Sequence, residues 1–200
     1  MSGAMSRLPL QQPISVHDYL AGETLATRKH EYVAGRVYAM AGGTIGHNRI
    51  ATNATVAIGG QLSGRPCEVF NSDMKVRVRQ RNSVRFYYPD ASVICDPNPS
   101  NLTYQNRPVV IVEVISESTR RVDEYEKYEA YLSIDSLCVY VLVEANKAAT
   151  VIYRRDDEGF NRELYVGHDA IVTLPEINCH LALSDLYSKV VFEPIVEDES

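Results

Sequence analysis

No apolar run in the sequence approaches the roughly 20 residues that a membrane-spanning helix needs, so a membrane protein is not expected. Cysteine is scarce. Cys67, Cys95, Cys138 and Cys179 lie far apart, form no CxxC pair and join no Cys/His cluster. That excludes a zinc ribbon and argues against a disulfide scaffold. Each sits in an apolar context, so the set reads as buried reduced thiols of a cytoplasmic protein. An excess of positive charge is also missing. The net charge of −6 does not mark a general nucleic-acid binder, and any such reading must rest on local patterning. No GxSxG elbow and no paired Cys/His arrangement occurs, which excludes acyl-transfer chemistry of those kinds. The glycines from Gly42 to Gly46 are not followed by Gly-Lys-Ser/Thr, so they form no P-loop. Residues 1–13 lack the basic and apolar segments of a signal peptide and read as a disordered start or an expression scar. Residues 191–200 read as an acidic tail, with four acids and no base from Glu193 onward.

What is present suits one soluble domain over residues 14–190. At 200 residues, roughly 70% of the unfolded chain's surface can be buried, enough for a core without metal or disulfides. A short helix is expected from Ser15 to Leu20, and a strand or hairpin over Glu31–Met40 with its turn at Ala34-Gly35. Ile50, Ala54, Ala57, Ile58 and Leu62 recur at helical spacing between Gly46 and Leu62. A strand-rich middle follows. Met74–Gln80 alternates strictly, a turn at Arg81–Ser83 leads to Val84–Tyr88, and Ala91–Cys95 and Val109–Ile115 are short continuous apolar runs. A helix is expected over Ser116–Ile134, with Ser116, Ser118 and Thr119 as caps. It carries Tyr125, Tyr128, Tyr131 and Leu132 along one side. Strands are expected at Leu137–Val143, Thr150–Arg154 and Arg162–Val166. Buried central strands between helices give an α/β or α+β fold class with a mixed sheet.

Three features carry chemistry. Asp90, in Tyr-Pro-Asp, stands at the head of an apolar strand. Glu113 interrupts the run Val-Val-Ile-Val-Glu-Val-Ile, where an ionised carboxylate costs several kcal/mol unless it is paired or metal-bound. Asp123, Lys127 and Tyr131 recur at i, i+4 and i+8 on one helix face. Two acids brought together repel, and a divalent cation resolves the repulsion. The residues alone leave two readings of Asp90 with Glu113: a metal pair, or a buried acid pair satisfied by amides or arginine. Lys127 could reach back over the strand end as a catalytic cation, but the residues alone favour an ordinary helix-surface partner of Asp123. His47, near a helix start, is a phosphate or base contact or a plain cap. Lys75, Arg77, Arg79 and Arg81 make a positive stripe that either contacts a phosphate backbone or protects an edge strand.

These pieces together resemble a known family. Tyr-Pro-Asp-Ala from Tyr88, Pro-Val-Val-Ile-Val-Glu-Val-Ile-Ser-Glu-Ser-Thr from Pro108, and Asp-Glu-Tyr-Glu-Lys-Tyr-Glu-Ala-Tyr from Asp123 are similar to the Uma-type restriction endonuclease family, within the PD-(D/E)xK nucleases. His-Glu-Tyr-Val-Ala-Gly-Arg-Val-Tyr-Ala-Met-Ala-Gly from His30 and Gly46-His47 fit as well, so the resemblance spans about residues 14–188. It implies a restriction-endonuclease-like core, a mixed sheet flanked by helices with the site at the strand ends. It implies that Asp90, Glu113 and Glu31 hold Mg²⁺ or Mn²⁺, that Lys127 is the catalytic lysine moved onto the helix, and that DNA is the substrate. A two-fold dimer would cut both strands; no organic cofactor is implied. The sequence departs from the pattern twice. Val114-Ile115 stands where the signature has its lysine, and no tryptophan follows the helix. The first departure keeps open a second function, a catalytically inactive binding module that retains the fold.

Overall fold

The computed structural model describes residues 12–116, 120 and 122–192. The first helix, α1 (Val16–Leu25), starts where the Ser15 hydroxyl accepts a bond from the Asp18 amide. It runs past the expected Leu20 because Glu23 in its last turns is tied to the body of the protein. The Glu23 carboxylate accepts from the His30 amide and the Tyr88 hydroxyl, both at 2.8 Å. The hairpin β1 (His30–Val33) and β2 (Arg36–Ala39) turns at Ala34-Gly35, as the sequence suggests. Both turn residues have positive φ, 48° and 93°. A Cβ on Gly35 would lie 2.6 Å from the Pro13 Cβ. Gly35→Ala is therefore expected to cost about 1 kcal/mol or more, read as a lower urea midpoint at unchanged slope.

The helix α2 (Ile45–Leu62) is capped by Thr44 and buries Ile50, Ala54, Ile58 and Leu62, a stripe spaced every four residues. Then come β3 (Glu68–Asn71), β4 (Lys75–Gln80), β5 (Ser83–Tyr87), β6 (Ala91–Ile94), β7 (Tyr104–Gln105) and β8 (Pro108–Ile115). A π-helical stretch at Val122–Lys127 leads into α3 (Tyr128–Leu132). After it follow β9 (Val139–Glu144), β10 (Ala149–Asp156), β11 (Gly159–Val166), β12 (Ile171–Leu174), a 3₁₀ turn at Pro175–Ile177, β13 (Cys179–Ala182) and α4 (Leu183–Leu186). The expected long helix over Ser116–Ile134 is partly π-helical and ends at Leu132; Arg120 already donates to the Ser116 carbonyl at 2.9 Å, and the Ser118 and Thr119 caps lie outside the described residues. Tyr125, expected on the apolar side, is exposed. Residues 1–11 of the proposed start and 193–200 of the acidic tail also lie outside the described residues.

The fold is a mixed α+β architecture. A six-stranded sheet runs β11-β10-β9-β8-β6-β3, antiparallel except for the central β8–β9 pair. A five-stranded sheet runs β2-β1-β5-β4-β7, and β12 and β13 form a separate hairpin. Strand β8 is buried on both faces, which explains its continuous apolar run. Its Val110, Val112 and Val114 join the core built with α2. Its Ile111 and Ile115 join the core built with α3 and with Val76, Val78 and Tyr87 of the second sheet. Glu113 has the parity of Ile111 and Ile115 and faces that second core. A third cluster packs Tyr19 of α1 on Tyr32 and Phe86 across the other face of the five-stranded sheet.

The cysteines correct the expectation of four reduced thiols. Cys67 and Cys95 form a disulfide, while Cys138 and Cys179 are free. The reason is register. β3 pairs with β6 at Glu68↔Ile94, so the next residues outward, Cys67 and Cys95, face each other across the strands. Their 28-residue separation in sequence conceals that adjacency. No helix among the described residues is long and apolar enough to cross a membrane.

Candidate active site

The site forms where the C-terminal end of β8 meets β1, the start of β6, the start of α2 and the π-helical turn. Asp90 precedes β6, which pairs with β8 at Ala91↔Val112. Just ahead of β6, the Val114 amide donates to Asp90 Oδ2 at 2.7 Å, so the carboxylate continues the ladder that the strand leaves off. The other oxygen, Oδ1, lies 3.0 Å from His47 Nε2. The Asp90 hydrogen bond raises the His47 pKa above its ordinary value, against the opposing effect of burial.

The second half of the site is a buried ion cluster. Lys127 Nζ lies 3.1 Å from Glu113 Oε1, 3.2 Å from Glu31 Oε1 and 3.2 Å from Asp123 Oδ1. Tyr131 donates to the same Glu113 oxygen at 3.0 Å. Tyr140 donates to the Asp123 carbonyl at 3.0 Å, pinning the π-helical turn to β9. The i, i+4, i+8 face read from the sequence therefore converges on Glu113. Burial pushes the Glu113 carboxyl well above its ordinary range, and the neighbouring acids Asp123, Asp90 and Glu31 push the same way. Burial alone would pull the Lys127 ammonium down, but the three carboxylates outweigh it and hold the group charged. The surface-pair reading of Lys127 is thereby corrected. Its side chain is 9% exposed, inside the site rather than on the helix surface.

A cavity of about 340 Å³ opens onto these groups, lined by Glu31, His47, Tyr88, Asp90, Glu113, Asp123, Lys127 and the 39–44 loop. Among the described residues no three His, Cys, Asp or Glu side chains are placed to hold one cation; the point that Glu31, Glu113 and Asp123 surround is taken by the ammonium of Lys127. The donor set nonetheless fits a hard divalent cation. It offers four carboxylates, and buried Glu31 Oε1 has the Lys127 ion pair but accepts no hydrogen bond.

The sequence-predicted residues thus divide. Asp90, Glu113, Glu31, Lys127 and His47 come together. Lys75, Arg77, Arg79 and Arg81 do not join them as one stripe. Lys75 is buried with Nζ 5.1 Å from the Tyr88 ring centre, Arg77 is half-buried, Arg79 is exposed, and Arg81 lies in the β4–β5 turn. Asp123 was legible only as the helical neighbour of Lys127, yet it is a member of the buried cluster. Its i−4 spacing from a lysine on an inward face was the available signal.

Asp90→Ala leaves the buried Val114 amide without its acceptor and is expected to cost about 1–3 kcal/mol. Asp90→Asn retains a carbonyl acceptor and should recover most of that loss in urea titrations. Equal destabilisation by the two changes would show that the amide bond is not what Asp90 contributes.

Known proteins share this arrangement of elements. The Uma2 family model, described as "Putative restriction endonuclease", matches residues 16–184. The chain belongs to the Uma2 family. Two relatives of this Uma2 chain come from Synechocystis sp. (strain ATCC 27184 / PCC 6803 / Kazusa). Protein slr1290 is 34% identical over 147 residues, covering 73% of this chain and 76% of its own. Protein sll1609 is 30% identical over 135 residues, covering 66% and 75%. The fold matches a crystal structure from Anabaena variabilis ATCC 29413, described as "a putative nuclease belonging to DUF820". The TM-score is 0.68 at 18% identity, over 83% of this chain and 93% of that one. That likeness establishes the fold.

Proposed function

We propose that this Uma2 chain is a divalent-metal-dependent phosphodiester hydrolase that cuts DNA. The observation that carries the reading is the buried lysine held among Glu31, Glu113 and Asp123 beside Asp90, at the mouth of a cavity. Fixing so many charged groups out of contact with bulk water is costly, and buried clusters of this kind mark functional sites more often than chance. The Uma2 family and the Anabaena protein are both described as nucleases, which supports the same reading.

Asp90, Glu113 and Glu31 would hold Mg²⁺ or Mn²⁺, with Asp123 beside them. What a bound cation supplies is acidification of water and neutralisation of the scissile phosphate. The chain's own residues do the rest. The Val114 amide fixes the orientation of Asp90. Tyr131 fixes Glu113. Lys127 offers its ammonium to the charge that develops on the phosphoryl oxygens. His47, at the start of α2 and beside Asp90, would meet an entering phosphate in the same cavity. A two-fold dimer would bring two sites to the two strands of a duplex.

One observation favours a second reading, a binding module without catalysis. Ile115, at the position of the signature lysine, is packed into the core and can take no part. One experiment decides between the two. Supercoiled plasmid is incubated with the protein in Mg²⁺, Mn²⁺ or EDTA, with Asp90→Asn in parallel, and metal binding is followed by calorimetry. Metal-dependent nicking by the wild type, at least about 100-fold slower in the variant, is the expected result. Nicking that survives the substitution removes Asp90 from the mechanism. No nicking and no heat of metal binding establishes the inert module.

A further inference from the structure

A second cavity, of about 440 Å³, lies away from the carboxylates, between the β4–β7 edge of the five-stranded sheet and the turn that follows α3. Arg77, Arg79 and Arg107 reach it from one side, and Ser133 and Ser136 from the other. Arg77 is held rigidly: its Nε donates to Asn106 at 2.8 Å, one terminal nitrogen donates to the Tyr104 hydroxyl at 3.1 Å, and the guanidinium stacks 4.5 Å from that ring's centre. All these partners are neutral. Neither Arg77 nor Arg79 forms an ion pair among the described residues. Arg107 pairs with Asp96 at 3.0 Å, but both side chains are about two-thirds exposed, so salt screens that contact. Asp135 is the acid on the cavity wall. The carbonyls at the end of α3, which would repel an anion, are already engaged. Arg155 takes the Leu132 and Ile134 carbonyls at 3.2 and 2.8 Å. A preorganised, uncompensated guanidinium pair in a chain of net charge −6 is local positive charge with no internal partner.

The geometry points to a phosphate site in this cleft that takes a backbone phosphodiester of the nucleic-acid substrate at a distance from the scissile bond. The inference rests on the nuclease reading and extends it to a substrate of defined minimum length. Asn106 and Arg107 precede β8, and Glu113 stands five residues beyond its first residue, Pro108, which is about 17 Å at roughly 3.3 Å per residue. Phosphates spaced along a duplex bridge that distance within about half a helical turn. Planar guanidinium donors suit phosphate oxygens, whereas the Ser133 and Ser136 hydroxyls are already committed to the Ala130 and Pro108 carbonyls, so the arginines carry the site.

Two arms test it. In the first, the Arg77 Nε–H signal is followed by NMR while inorganic phosphate is added. In the second, a labelled 20-base-pair duplex is titrated in Ca²⁺ over a series of salt concentrations, with wild type, Arg79→Gln and Arg107→Gln. Arg79 is exposed, so its substitution leaves the fold intact, which thermal unfolding verifies. The expected result is a shift of the Arg77 signal by both phosphate and duplex. Arg79→Gln should weaken duplex binding about 3- to 10-fold and reduce the log–log salt slope by about one. Duplex binding with an unmoved Arg77 signal and an unchanged slope overturns the cleft and leaves the nuclease reading intact. A response to phosphate without any duplex binding overturns both, and marks the cleft as a site for free anions.

Discussion

Lys127→Met is expected to lower the unfolding free energy by about 3–5 kcal/mol at pH 7, measured by urea titration. The lost ammonium is 3.1–3.2 Å from three carboxylates, and methionine fills its volume without its charge. The cost is that of buried acids left uncompensated, and its pH dependence identifies it. Glu113 already has its pKa raised in the wild type, by burial first and by its acidic neighbours next. Without the lysine, whose charge lowers it in the wild type, the folded-state pKa of Glu113 rises further above its unfolded value. At neutral pH the folded state must then lose protons it would rather keep, and stability suffers. As pH falls below the ordinary glutamate value of 4.5, both states are protonated and the penalty disappears. Lys127→Met should therefore approach the wild type in acid and diverge from it as pH rises. A penalty independent of pH would mean that lost packing, not charge, is responsible. If the acids also hold a divalent cation, millimolar Mn²⁺ should raise the variant's stability by RT ln(1 + [metal]/Kd), and should do so more than in the wild type.

Glu113→Gln separates chemistry from folding in the opposite sense. The amide occupies the same space, accepts from Tyr131, and no longer carries a charge that burial opposes. Lys127 retains Glu31 and Asp123. Stability should change by about 1 kcal/mol or less. Metal-dependent DNA cleavage should fall by about 10²- to 10³-fold, the effect of removing one preorganised electrostatic group from a reaction site. Parallel plasmid-nicking and urea assays check both halves. An active variant would remove Glu113 from the mechanism. An inactive but strongly destabilised variant would assign the carboxylate a structural role.

Much of this arrangement could be read from particular residues. Glu113 betrayed itself because a strand buried on both faces tolerates a carboxylate only beside a partner. Asp123, Lys127 and Tyr131 shared a face by helical spacing, and that face is the one turned to Glu113. Asp90 was marked by Tyr-Pro-Asp at a strand head. Glu31 had no such mark, since a glutamate at the start of a strand is ordinarily solvated, and only the family resemblance pointed to it. Its role depends on the β1–β5 pairing at Tyr32↔Phe86, a contact between segments more than fifty residues apart. The Cys67–Cys95 bond was hidden for the same reason. Local spacing encodes which way a side chain points on its own element, but not which element lies opposite. The alternating cations of β4 show the limit clearly. Their common face was correct, yet burial withdrew Lys75 beside Tyr88 and left Arg77 and Arg79 in a different environment.

The central β8–β9 pair is parallel, and the groups round Lys127 arrive on three stretches of chain: Glu31 on β1, Glu113 on β8, and Asp123 with Tyr131 on the helical segment of Lys127 itself. Parallel pairing between distant segments forms late, because the intervening chain must close first. During synthesis, β8 therefore emerges with its carboxylate before β9 exists to seat Tyr140 against the π-helical turn. A chain ending before Val139 carries every charged residue of the cluster but lacks Tyr140, the β9 side chain that pins the π-helical turn bearing Asp123 and Lys127.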